Sequence, residues 1–160
     1  MANVKIVTDS LADIPLALMK GLDITVIPCT VQVGNKSYRD KLDLNIADFY
    51  RMIATTPKPP TTSNPAVGGF EETYRQLART TRQIISIHVA SSLSGTFNSA
   101  RLAAQTVKQD APVMIEVIDS QQLSMAQGWL VVQAARAAAS GRNLMDITEL
   151  IEAARARPRR

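Results

Sequence analysis

The chain is poor in the residues that carry most metal, redox and base-stacking chemistry. It has one cysteine, one histidine and one tryptophan in 160 residues, and aromatics make up only 4% of it. A lone Cys29 excludes an intrachain disulfide, and its place in the strand-like run ITVIPCTVQV points to a buried, inert thiol. One His, one Cys and scattered acids do not make a ligand set, so neither metal nor other cofactor is expected. Few aromatics leave few platforms on which bases could stack. The net charge of +4 disappears once Arg155, Arg157, Arg159 and Arg160 are set aside, so the basicity belongs to the last six residues and no nucleic-acid partner is expected. No apolar run approaches the roughly 20 residues that span a bilayer. The opening MANVKIVTDS also lacks a signal-peptide layout, so a cytoplasmic protein without membrane insertion is expected. The phosphate fingerprints G-x-G-x-x-G and G-x-x-x-x-G-K-[ST] are absent, as is the G-x-S-x-G nucleophile elbow.

What is present is a core. At 46% hydrophobic content, 160 residues suffice for one domain and fall short of two ordinary ones. Val4 to Thr8 reads as a parallel strand closed by Asp9 and Ser10, and Ile24 to Val33 as a second strand. Gly34 and Asn35 signal a turn, after which Lys36 to Arg39 return as a short hairpin arm. Ile46, Phe49, Tyr50 and Ile53 recur at i, i+3, i+4 and i+7, which predicts an amphipathic helix. Four prolines make TTPKPPTTSNP a rigid loop that is neither helix nor central strand. Asn64 and Pro65 then read as the cap and first turn of a helix carrying Val67, Phe70, Tyr74 and Leu77. A strand at Gln83 to Val89, a helix to about Lys108 and a strand at Val113 to Ile118 follow. The helix Met125 to Ser140 is apolar almost all round, with Gln133, Arg136 and Ser140 as its only polar stripe. A last helix begins near Asp146. Strands alternating with helices predict an α/β fold with an open, mainly parallel sheet and helices on both faces, a three-layer α/β/α arrangement with a β-hairpin arm.

The stretch Ile84 to Ala100, IISIHVASSLSGTFNSA, runs from buried strand through a hydroxyl-rich loop into a helix. Such a junction presents free N–H groups and a positive dipole end to whatever lies beyond the strand, so it favours an anion or carboxylate. Ligands in parallel α/β sheets sit at that carboxyl edge. Val7-Thr8-Asp9-Ser10 and Val117-Ile118-Asp119-Ser120 repeat one acidic-hydroxyl corner, for which helix capping is the simplest role. Three other functions are compatible with these residues: a phosphate or nucleotide binder at the same helix start, a serine hydrolase using Ser94 with His88 and Asp119, and an interaction module that forms a homodimer or meets a partner chain. His88 sits within the strand pattern, where a satisfied core histidine is the commoner reading.

Together, Val7-Thr8-Asp9-Ser10, Pro60-Thr61-Thr62-Ser63-Asn64-Pro65, Ser91-Ser92-Leu93-Ser94-Gly95-Thr96 and Ile118-Asp119-Ser120 resemble the DegV family of bacterial fatty-acid-binding proteins. The resemblance implies a long-chain fatty acid whose carboxylate meets Thr62, Ser63, Ser94 and Gly95, with Asp9, Ser10, Asp119 and Ser120 in support. It also implies a carrier, not an enzyme, that presents the acid to a separate fatty acid kinase subunit for phospholipid synthesis. Residues 1–154 would form the family's first domain and residues 155–160 a basic tail, with the family's second domain absent and another chain able to complete the site.

Overall fold

The structure, a computed structural model, describes residues 3–156. In chain order the elements are β1 (Val4–Asp9), a 3-10 turn (Ser10–Ala12), α1 (Leu16–Met19), β2 (Ile24–Ile27), β3 (Thr30–Val33), β4 (Lys36–Arg39) and α2 (Ile46–Thr55). They continue as β5 (Thr61–Ser63), α3 (Val67–Ala78), β6 (Gln83–His88), α4 (Thr96–Asp110), β7 (Met114–Asp119), α5 (Met125–Ala139) and α6 (Leu144–Arg155).

The main sheet has the order β2-β1-β6-β7, and every pairing in it is parallel. A parallel sheet is covered on both faces, which is why β1 and β6 read as almost unbroken apolar runs. Side chains alternate across it. Val4, Ile6, Ile85 and Ile87 face α5 and α6, meeting Leu130, Val131, Ile147 and Ile151. Val7, Ile84 and Ile115 face α3 and α4, where they meet Phe70, Tyr74, Ala100 and Val107. Phe70 and Tyr74 are fully buried, and burial of each such side chain contributes roughly 1.5–3 kcal/mol. The expected three-layer fold is therefore the one observed.

Ile24 to Val33 is not one strand. Pro28 lacks a ladder N–H and interrupts the run, so β2 joins the main sheet while β3 enters a separate antiparallel sheet of order β4-β3-β5. The hairpin arm is confirmed, with Gly34 at φ 60° opening the turn between the paired Val33 and Lys36. The TTS segment forms an edge strand where a loop was expected, with Thr62 opposite Val31. An edge position tolerates the flanking prolines. A small core of Val31, Val33 and Leu44 holds this sheet to α2 through Phe49 and Met52. The predicted stripe of α2 is thereby split, for Ile46 and Tyr50 remain 66% and 63% exposed.

Two further expectations change. The N-cap of α3 is Ala66 with no side-chain bond, because the Asn64 amide is turned elsewhere. Arg155 is the last residue of α6, where it donates to the Asp119 carbonyl at 2.6 Å and pairs with Glu152. Residues 157–160 of the expected basic tail lie outside the described residues. Among the described residues no helix is long and apolar enough to cross a membrane.

Candidate functional site

The segment between β6 and α4 is fastened at three successive N–H groups. Val89 donates to Asp9 Oδ2 (3.1 Å), Ala90 to the Gln122 carbonyl (2.9 Å) and Ser91 to Asp119 Oδ1 (3.2 Å). The Ala90 carbonyl then accepts from both Leu93 and Ser94, closing a tight turn that delivers the chain to α4. Gly95 caps that helix without a side-chain bond. Ser94 Oγ accepts from the Thr96 N–H at 3.3 Å and shares a 2.9 Å hydrogen bond with Thr96 Oγ1, a local turn between residues two apart. Among the described residues the N–H groups of Gly95 and Phe97 find no acceptor, and they lie at the positive end of a 15-residue helix. An anion with oxygen acceptors fits such an end.

The second hydroxyl segment reaches the same place through Asn64. Its Nδ2 donates to Ser99 Oγ in the first turn of α4 (2.9 Å), and its Oδ1 lies 3.5 Å from where a Cβ on Gly95 would stand. Thr61, Thr62 and Ser63 are all exposed on β5, immediately before this contact. The structure thus joins the TTS and SGT segments, which are distant in sequence. Asn64 and Ser99 are connectors that the sequence does not announce, since Asn before Pro carries the signature of a helix cap.

Asp9, Ser10, Asp119 and Ser120 each accept from a backbone N–H group. Asp9 Oδ1 accepts from the Leu11 N–H and Asp119 Oδ1 from the Gln121 N–H, the same i to i+2 turn at both corners. Ser10 Oγ accepts from the Cys29 N–H, anchoring the break between β2 and β3, and Ser120 Oγ accepts from the Gln122 N–H. Burial alone would raise the Asp119 carboxyl. Hydrogen bonds from Ser91 Oγ and from the Gln121 and Ser91 N–H groups, with the Arg155 charge, more than offset this and hold it below the usual carboxylate range. Burial pushes the Cys29 thiol up to about 11, against the lowering effect of the Ser10 hydrogen bond, in keeping with an inert role.

The hydrolase constellation does not assemble. His88 is fully buried, with Nδ1 2.9 Å from Asp9 Oδ2 and Nε2 2.7 Å from Ser86 Oγ. Both nitrogens are therefore occupied by residues other than Ser94 and Asp119, and the core-histidine reading holds. Gln127, which the apolar pattern of α5 hid, is also fully buried and donates to Thr8 Oγ1 and Asp9 Oδ2. At the carboxyl ends of β1 and β2, the four-residue α1 is too short to cover the sheet. It leaves a hollow of about 320 Å³ lined by Ile14, Leu16, Met19, Val26 and Leu42, with Leu16 85% exposed.

The family model that matches residues 3–159 is that of the DegV family, described as uncharacterised protein. A DegV domain-containing protein of Caldanaerobacter subterraneus subsp. tengcongensis is 36% identical over 151 residues, covering 94% of this chain and 52% of the relative. Another from Lactococcus lactis is 38% identical over 149 residues, covering 93% and 52%. The chain spans about half the length of the curated relatives it matches. DegV of Bacillus subtilis, a fatty acid binding protein, superposes with a TM-score of 0.89 at 32% identity, over 96% of this chain and 54% of its own. A DegV family protein from Thermus thermophilus, whose structure concerns fatty acid binding, gives 0.84 at 29% identity, over 96% and 53%.

Proposed function

The chain belongs to the DegV family, and from that membership and the geometry above we propose that it binds a long-chain fatty acid as a carrier. The carboxylate is received by the open N-terminus of α4 at Ser94 and Gly95, with Thr62 and Ser63 of β5 completing the polar rim. The observation that carries this reading is the joining of the two hydroxyl segments by Asn64 at an uncapped helix end. Similar proteins that bind fatty acids lend it support.

Magnitudes divide the work. A charge-assisted hydrogen bond contributes roughly 1.5–3 kcal/mol, whereas about 15 buried methylenes at ~0.8 kcal/mol each contribute up to ~12. The acyl chain dominates affinity and the hydroxyls decide which end points toward α4. Leu16, Val26 and Leu42, open at the same sheet edge, supply apolar surface for a hydrocarbon or for the cover over it. In this reading a further domain or a second chain encloses the acyl tail, and a separate kinase subunit receives the acid. The protein itself holds its ligand without transforming it, in keeping with a His88 that is bonded at both nitrogens and turned away from Ser94.

Native mass spectrometry of the purified chain, followed by mass analysis of an organic extract, tests the proposal. A stoichiometric fatty acid is expected. A chain that carries no fatty acid and takes none up from solution would contradict it.

A further inference from the structure

We propose that the buried chain Tyr74–Ser86–His88–Asp9 is a positioning device for the loop that carries Ser94, with His88 held as the neutral Nδ1–H tautomer. The loop-positioning part rests on the fatty-acid reading above; the tautomer does not.

All four side chains are fully buried. Tyr74 OH donates to Ser86 Oγ at 2.8 Å. A hydroxyl that accepts there directs its own proton to its other neighbour, His88 Nε2 at 2.7 Å. Nε2 is therefore an acceptor, and the ring proton sits on Nδ1, 2.9 Å from Asp9 Oδ2. The opposite tautomer would aim the Nδ1 lone pair at a carboxylate and leave the Ser86 proton without an acceptor. Phe70 stands edge-on to the imidazole, its centroid 5.1 Å away at 86°, and limits rotation of the ring.

The chain ends on a carboxylate that meets four neutral donors. Asp9 Oδ2 accepts from His88, the Val89 N–H and Gln127 Nε2, and Oδ1 accepts from the Leu11 N–H. Gln127 cannot be turned the other way. Thr8 Oγ1 spends its proton on the Ile87 carbonyl and so accepts, as Asp9 does, and the Gln127 NH2 must face both. Among the described residues its buried Oε1 has no partner, a cost tolerated in satisfying Asp9. The network thus links α3, β6, β1 and α5 and terminates at the Val89 N–H, the first of the three groups that fasten the loop leading to Ser94. Asp9 and His88 act on the carboxylate site through that backbone.

His88 is the only histidine, so a long-range 1H–15N spectrum of the intact chain contains a single imidazole. At neutral pH the Nδ1 resonance is expected to be of the protonated type and Nε2 of the unprotonated type. An Nε2–H tautomer or an imidazolium would overturn the assignment. For the positioning role, affinities for a fatty acid and for the fatty alcohol of equal length are compared in the wild-type chain, Asp9→Asn and Ser86→Ala. The variants are expected to lose acid-over-alcohol preference, by about tenfold for Asp9→Asn, with alcohol affinity kept within about twofold. Ser86→Ala removes only a hydroxyl and decides the matter should Asp9→Asn fail to fold. Equal loss for acid and alcohol, or no loss, would overturn the positioning role. A wild-type chain that binds neither would overturn the fatty-acid reading and the positioning role with it, while the imidazole spectrum still decides the tautomer.

Discussion

Asn64 donates through Nδ2 to Ser99 Oγ across 2.9 Å, and this bond between residues 35 apart in sequence fastens the end of β5 to the first turn of α4. Replacing Asn64 with Ala removes the fastening while leaving every hydroxyl in place. The loss in stability is expected to be about 0.5–1.5 kcal/mol, the net worth of one ordinary hydrogen bond. Fatty-acid affinity should fall further than that, because Thr62 and Ser63 no longer share a fixed geometry with Gly95. Chemical denaturation and a binding isotherm on the same preparation separate the two effects. Unchanged affinity would show that the two segments act independently.

Thr62→Ala and Ser94→Ala each remove a hydroxyl near the carboxylate. At roughly 1.5–3 kcal/mol for a bond to a charged group, each variant should bind about ten- to a hundredfold more weakly. Thr62 is exposed and Ser94 half-buried, so circular dichroism and melting temperature should change little. Full affinity in both variants would remove these residues from the site.

Much of this arrangement was legible in the residues. Parallel strands buried on both faces appear as apolar runs, so β1 and β6 and the helix start after SSLSGT could be read directly. The division of Ile24–Val33 was not, because β-branched residues flank Pro28 on both sides and only the sheet topology shows that β2 and β3 have different neighbours. Asp9 and His88 lie 79 residues apart and meet because β1 and β6 are adjacent, a pairing that neither strand announces. Gln127 was hidden for a different reason. One amide in an alanine- and valine-rich helix carries no mark of its orientation, and the nearest signal would have been the need of a buried Asp9 for donors.

Gly128 of α5 lies against the 3-10 turn that follows β1. A Cβ there would stand 2.4 Å from the Ala12 carbonyl oxygen and 2.9 Å from Ile14 Cγ1. Backbone cannot yield as a side chain can, so Gly128→Ala should destabilise the fold by about 1–3 kcal/mol despite the higher helix propensity of alanine. Thermal melting of the variant at or above the wild-type midpoint would contradict this close approach.

Asp119 gives the site an acid sensitivity of known sign. Its carboxyl titrates below the unfolded value of about 3.9, so the stability it contributes is fully present above that pH and is lost as pH falls through the lower folded value. Its bonds to the Ser91 and Gln121 N–H groups should loosen over that window. Amide exchange read between pH 5 and 2.5 should show protection at these two positions falling, after correction for intrinsic rates, before that of Ile85 and Ile87 in β6. Simultaneous loss across the chain would contradict local control by Asp119.

The most direct test of the carboxylate site is a titration of the 15N-labelled chain with a long-chain fatty acid, followed by backbone amide shifts, with the matching fatty alcohol as control. The acid should move the amides of Gly95, Thr96 and Phe97 and those of Thr62 and Ser63, and the alcohol should move them far less. Acid-specific shifts confined to another surface, or the same shifts from acid and alcohol, would contradict a carboxylate held between β5 and the start of α4.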